Sequence, residues 1–405
     1  MTNEQKVLLK LVSATLNGVE AEIQSPEAVD WYEVALESEA QAVLPLAFDS
    51  VEKLKEHIPK DLYKAWADRA VQHLVKNAKV ISWQTGLVKL LTDAGYPYVI
   101  LKGLSSASYY RRPDLRVLGD VDFLIDQNHN DEITKLLCDD GYISELEDHE
   151  CHTVLRKDKA HLEMHREIAG IPHGTAGELV RWFVKDLLED CRKNADFLTP
   201  AQHHHGLILL LHTQHHMIGE GIGLRHLCDW AVFVDKTHTE PFWQEKLLPF
   251  LREIGLFTFA AVLTKTSSLA FDTACPDWAD ADEKLCCELL DDVISGGNFG
   301  IKEKERGLSG ALITNRGKDG MEKGKWNRLY TVFRDNIKTR HPITRKYPIL
   351  YPFFAIYKAI RFFVLSLFGK KTSLVQISKE MDKRKSIYKQ LKIFEVTQCS
   401  KTTEN

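Results

Sequence analysis

Apolar residues at helical spacing open the chain. Val7, Leu8, Leu11 and Val12 recur on one face, and Leu62, Trp66, Ala70 and Leu74 do so again. Residues 1–90 are therefore expected to be helical. Ser25-Pro26-Glu27 predicts a helix start, with Ser25 as N-cap and Pro26 at the first helical position. The pattern changes at Gly95. Tyr96 to Leu101 is a short apolar, β-branched run that predicts a strand, and Val121 to Ile125 predicts a second, well-buried one. Between them lie the small-residue stretch Gly103 to Ser108 and an arginine-rich loop, Arg111 to Arg116. A helix is expected over 131–140, closed by Gly141. Two further strands, His152 to Arg156 and Ala160 to Ile168, flank the polar turn Lys157-Asp158-Lys159. Helical spacing returns from 178 to 290, including 202–217 and 224–234.

This pattern divides the chain into an N-terminal helical region (1–90), a small α/β core (91–175), a helical domain (176–300) and a C-terminal helical region (301–405). A length of 405 residues has room for such a division. No internal repeat or extended low-complexity tract interrupts it.

Charge alters the picture at the C-terminal end. The net charge is only −4, yet 316–395 holds 20 Lys or Arg against 6 Asp or Glu, so the rest is acidic. A basic segment on an acidic body predicts an anionic partner or a solvated basic surface. The apolar, aromatic stretch Pro348 to Phe368 contains Lys358 and Arg361, which argue against a transmembrane helix. It is expected to pack on the body, with an interfacial membrane-surface helix as the other reading. The nucleic-acid signal is weak. The eight cysteines include no C-x-x-C pair, and the N-terminus does not read as a signal peptide, so a reducing cytoplasm is the expected setting.

The candidate chemistry lies in Val99 to Asp126, VILKGLSSASYYRRPDLRVLGDVDFLID. Side chains alternate along a strand, so Asp120 and Asp122 share one face while Val121 and Phe123 take the other. Two carboxylates at that spacing repel unless a cation lies between them, and oxygen ligands suit Mg²⁺. Gly119 leaves room for the close approach of a phosphate. In the later run HLEMH, His161, Glu163 and His165 share a face, which makes Glu163 the candidate third carboxylate. Three carboxylates can hold two metal ions that clamp an in-line phosphoryl displacement.

The run LKG…YYRRPDLRVLGDVDFLID followed by an E-x-H strand resembles the uncharacterised bacterial nucleotidyltransferases of the DNA polymerase β superfamily. The resemblance is sharpest over Tyr96 to Ile168 and continues more weakly through LRHLCDW, Leu224 to Trp230. It implies an α+β fold: a small mixed-sheet, polymerase β-like nucleotidyltransferase core flanked by helical regions. It also implies transfer of an NMP from an NTP, with ATP the expected one, onto an acceptor, using Mg²⁺ or Mn²⁺ held by Asp120, Asp122 and Glu163. The superfamily's usual Gly-Ser pair about ten residues before the D-h-D strand is missing. Lys102-Gly103 lies further upstream, with Ser105 and Ser106 just after it.

Lys102, Gly103, Ser105, Arg116 and His165 are the expected nucleotide contacts. Backbone N–H groups after a strand suit phosphate, as does a planar guanidinium fork. The histidines at 203, 204, 205, 212, 215 and 216 come with no HExxH glutamate and are expected at the helix surface or toward substrate. Arg225 and Asp229, four apart, are expected to pair. The acceptor is not readable. The rival readings are a silent nucleotide-binding or protein-interaction module and a histidine-cluster metallohydrolase.

Overall fold

A computed structural model describes residues 1–145, 151–303, 306, 347–357 and 384–394. Most of the basic segment 316–395 and most of 348–368 lie outside the described residues.

The chain starts with α1 (Asn3–Asn17), capped by a Thr2/Gln5 box and ended by Gly18 in the left-handed region. Ser25 does not cap a helix: its own φ is +50°, and only one 3₁₀ turn, Pro26–Ala28, follows. The next helix, α2 (Trp31–Ala40), is capped instead by Asp30, which accepts from the N–H groups of Tyr32 and Glu33. After α3 (Leu44–Asp49) comes α4 (Lys60–Ala94), a 35-residue helix about 52 Å long.

The length of α4 matters because it serves two cores. Leu62, Trp66 and Ala70 belong to one apolar cluster, and Val80, Leu87, Val88 and Leu91 belong to a second. Gly95 ends the helix at φ +77° and turns the chain into β1 (Tyr98–Ile100). A short α5 (Leu104–Ala107) precedes β2 (Val121–Ile125), and α6 (Asn130–Asp139) follows it. Then come β3 (Ile143–Ser144) and the hairpin of β4 (His152–Lys157) and β5 (Ala160–His165), turned at Asp158, φ +52°.

These strands form one mixed sheet in the order β1-β2-β5-β4-β3, in which only β2 and β5 run parallel. Phe123, Ile125, Leu162 and Met164 are buried in the second cluster with the C-terminal half of α4 and with Ile133 and Leu137 of α6. Alternation then gives the opposite face to Asp122 and Leu124 of β2 and to His161, Glu163 and His165 of β5.

The remainder is mostly helical: α7 (Thr175–Phe183), then α8 (Gln202–Ile218), α9 (Leu224–Thr237), α10 (Leu248–Glu253), α11 (Phe257–Phe271) and α12 (Glu283–Gly296). The expected helical run has one interruption. A hairpin of β6 (Cys191–Asn194) and β7 (Phe197–Pro200) turns at Ala195, φ +49°, and places β7 alongside β1. Strands of four residues are too short to register against a helical period. The N-terminal helices and the helices from α8 onward share the first apolar cluster, so the small sheet stands between parts of one larger helical body.

Candidate active site

The parallel pairing of β2 with β5 builds the site. Its register sets Asp122 opposite Glu163 and Leu124 opposite His165. The antiparallel pairing of β4 with β5 then brings His152 opposite His165. Register partners share a face, so Asp122, Glu163, His165 and His152 meet on one side of the sheet. Asp120 stands just ahead of β2 and completes a second grouping with His161 and Glu163, whose ligand atoms lie within 4.8 Å of one another.

Asp122 is the most enclosed of the three carboxylates. Lys102 Nζ lies 2.8 Å from its Oδ1, and His165 Nε2 donates to the same oxygen at 3.1 Å. His165 Nε2 is also 3.6 Å from Glu163 Oε2. His161 and His152 approach the two Glu163 oxygens at 3.9 and 4.0 Å.

The electrostatics split the two aspartates. Burial, then the charge of Asp122, pushes the Asp120 carboxyl up to about 6. Burial works the same way on Asp122, but Lys102 and His165 outweigh it and hold that carboxyl far below the usual range. Glu163 is also lowered: burial opposes ionisation, and the neighbouring His165 and Lys102 override it. His165 is raised in return, its carboxylate partners offsetting the cost of burying an imidazolium. A site in which one of three carboxylates is driven toward protonation lacks positive charge. A hard divalent cation on Asp120, Asp122 and Glu163 would supply it with the oxygen ligands it prefers.

Of the expected nucleotide contacts, Lys102 and Gly103 stand beside the carboxylates. Gly103, at φ +63° and ψ −111°, turns the chain out of β1, and a Cβ there would lie 3.8 Å from the Asp120 carbonyl. The Ser105 hydroxyl is fully buried and donates to the Ile100 carbonyl at 2.6 Å, so it pins the loop to the end of β1. Arg116 also faces inward. Its Nε and a terminal nitrogen each lie 2.7 Å from the two Asp229 oxygens, and Tyr110 OH donates to Asp229 at 2.7 Å. Asp229 thus pairs with Arg116 and not with Arg225, its helical neighbour, because the arginine loop reaches across to α9.

Among the described residues Arg225 is left without a carboxylate. Its Nε is buried with no partner among the described residues, one terminal nitrogen reaches the Val117 carbonyl only at 3.5 Å, and its guanidinium lies 5.6 Å from the centre of the Phe299 ring. His226 is 2% exposed, and neither ring nitrogen has a partner among the described residues. His212, His216 and His226 form a ring cluster with centroids 4.4–5.9 Å apart, and Lys102 Nζ lies 3.4 Å from His212 Nδ1. The sequence pattern hid this wall, because α8 and α9 reach the sheet only through the tertiary fold. The unpaired Arg225 was legible only as half of a different ion pair.

Residues 27–272 match a family model described as an uncharacterised nucleotidyltransferase. No curated protein and no solved structure matches the chain.

Proposed function

The chain belongs to the uncharacterised nucleotidyltransferase family, and from that premise we propose that it moves an NMP from an NTP, ATP in the first instance, onto an acceptor hydroxyl. The reading gives residues 91–175 a polymerase β-like core and places the reaction on the carboxylate-bearing face of β2 and β5. What supports it most is a single relationship, the side-by-side placement of Asp122 and Glu163 with Asp120 at the strand entrance. Asp120, Asp122 and Glu163 would hold Mg²⁺ or Mn²⁺, which when bound neutralises the triphosphate and lowers the pKa of a bound hydroxyl.

The acceptor hydroxyl gives up its proton to solvent as its oxygen attacks the α-phosphorus, the bond from that phosphorus to the bridging oxygen breaks, and pyrophosphate leaves. Lys102 and the backbone after Gly103 sit where the phosphates enter. Lys102 exchanges its bond to Asp122 for one to a phosphate oxygen when the nucleotide arrives. Arg225 and His226 provide the remaining donors for the tail, since buried polar groups that lack a partner among the described residues are rarely tolerated unless a ligand or water meets them. His165 orients Asp122 and Glu163. Catalysis is then positioning and charge neutralisation, with no protein nucleophile.

The test is incubation of the protein with each α-³²P-labelled NTP, Mg²⁺ or Mn²⁺ and lysate from its source, with Asp120→Asn/Asp122→Asn alongside. Labelled product and pyrophosphate, both absent from the variant, are expected. No transfer together with no calorimetric binding of any NTP would overturn the reading.

A further inference from the structure

A second cluster of potential ligands lies away from the carboxylates, at the start of α8. His203 and His204 open that helix, and the turn after α7 brings Asp186 and Asp190 against them. Potential ligand atoms of Asp190, His203 and His204 all lie within 4.8 Å of one another. His203 Nε2 is 3.5 Å from Asp190 Oδ2, and His204 Nε2 is 3.4 Å from Asp186 Oδ1.

Those separations are informative. A direct N–H···O bond settles at about 2.7–3.2 Å, shorter than either. Two ligand atoms each about 2.1 Å from a tetrahedral ion stand about 3.4 Å apart. We propose that Asp190, His203 and His204, with Asp186 beside them, form a site for a divalent transition-metal ion of the zinc class, separate from the carboxylate site on the sheet.

The donor set suits that choice. Two imidazoles and carboxylates select zinc-type ions over Mg²⁺, which prefers oxygen and retained water. Two other groups touch the cluster. The Phe183 carbonyl lies 3.1 Å from His204 Nε2, and Lys246 Nζ lies 3.9 Å from Asp190 Oδ2. Lys246 is half-exposed, so it swings out when a cation enters, and the His204 ring rotates off the carbonyl to offer its lone pair. The N-terminal end of α8 carries about half a positive charge, which two nearby carboxylates outweigh.

An entry path exists. A surface cavity of about 390 Å³ is lined by Asp186, His203, Lys246, Trp182 and Phe250. The apolar side of the site is closed by Phe183, edge-on to both imidazoles and stacked on Phe250 at 4.0 Å. A bound ion would tie the turn at 184–190 to α8. The histidine run taken alone had no carboxylate to complete such a set; the fold supplies it.

The full chain is stripped with chelator, returned to buffer with excess Mg²⁺, and titrated with Zn²⁺ by calorimetry and with Co²⁺ by visible absorption. One Zn²⁺ per chain is expected, with the intense visible band of tetrahedral Co²⁺. Asp190→Ala and His203→Ala should each weaken it at least ~100-fold, more than loss of a supporting partner costs. The variant His152→Ala/His165→Ala should retain it. Asp190 is 43% exposed in its side chain, so its variant folds even where those at buried histidines do not. No stoichiometric Zn²⁺ in the presence of Mg²⁺ overturns the proposal. So does Zn²⁺ binding that survives Asp190→Ala, or that disappears only in His152→Ala/His165→Ala.

Discussion

Asp122 and Glu163 occupy paired positions on the two parallel strands of an otherwise antiparallel sheet, so the site depends on register as much as on residue type. A one-residue slip of β5 would send Glu163 into the apolar face and bring Leu162 or Met164 into its place.

Removing a carboxylate should therefore abolish both metal response and turnover. Mn²⁺ at about a hundred times its dissociation constant adds about 2.7 kcal/mol to a protein that binds it only when folded. That thermal shift is expected for the native chain and lost in Asp122→Asn and Glu163→Gln. Transfer activity should fall at least ~10²-fold, as for loss of a preorganised electrostatic partner. Thermal shift assays with and without Mn²⁺, run beside the labelled-NTP assay, check both parts.

Arg116 behaves in this structure as a buried structural cation. Arg116→Ala leaves the Asp229 carboxylate and Tyr110 OH enclosed without their counter-charge, a change that costs about 3–5 kcal/mol. Urea unfolding should show the loss, and Arg116→Ala/Asp229→Ala should recover part of it. Equal urea midpoints for Arg116→Ala and the native chain would show that the pair holds nothing together.

Arg225 should show the opposite behaviour. Among the described residues its Nε has no partner and its charge no carboxylate, so Arg225→Ala removes little from the folded chain and is expected to leave Tm unchanged or higher. Loss of a charged hydrogen bond to phosphate costs about 1.5–3 kcal/mol, or at least ~10-fold in NTP affinity by calorimetry. A fall in Tm with unaltered affinity would mark the residue as structural.

Buried histidines should make the fold acid-labile. Burial holds His205 and His216 down to about 3 and His203 to about 4. An unfolded chain binds protons at these positions once pH drops below about 6.5, while the folded chain does not, so protons favour unfolding. This stability is fully present above pH 6.5 and is lost as pH falls toward 3–4. Tm should drop progressively between pH 7 and 5, and His205→Gln should make the slope shallower. A slope unchanged in the variant would mean that His205 is already protonated in the fold.

The sequence alone singled out the candidate carboxylates. Alternation predicts Asp120 and Asp122 on one face of a strand and Glu163 with His165 on one face of another, because the pleat has a period of two; β2 itself begins at Val121, so Asp120 stands just ahead of it. It also located the β4–β5 turn at Lys157-Asp158-Lys159 and α6 close to its observed limits. These are local properties, set by neighbours a few residues away.

Other features needed the tertiary structure. Nothing local says that β2 and β5 pair in parallel, since that contact spans a helix and two strands. Nor does spacing reveal that Asp229 answers Arg116 across 113 positions, leaving Arg225, four residues away, alone. The Asp190–His203–His204 cluster and the short β6–β7 hairpin belong here too. In each case an ionic or polar group was paired by whichever partner packing delivered. Charge seeks compensation wherever burial makes water unavailable, and only the folded chain decides who supplies it.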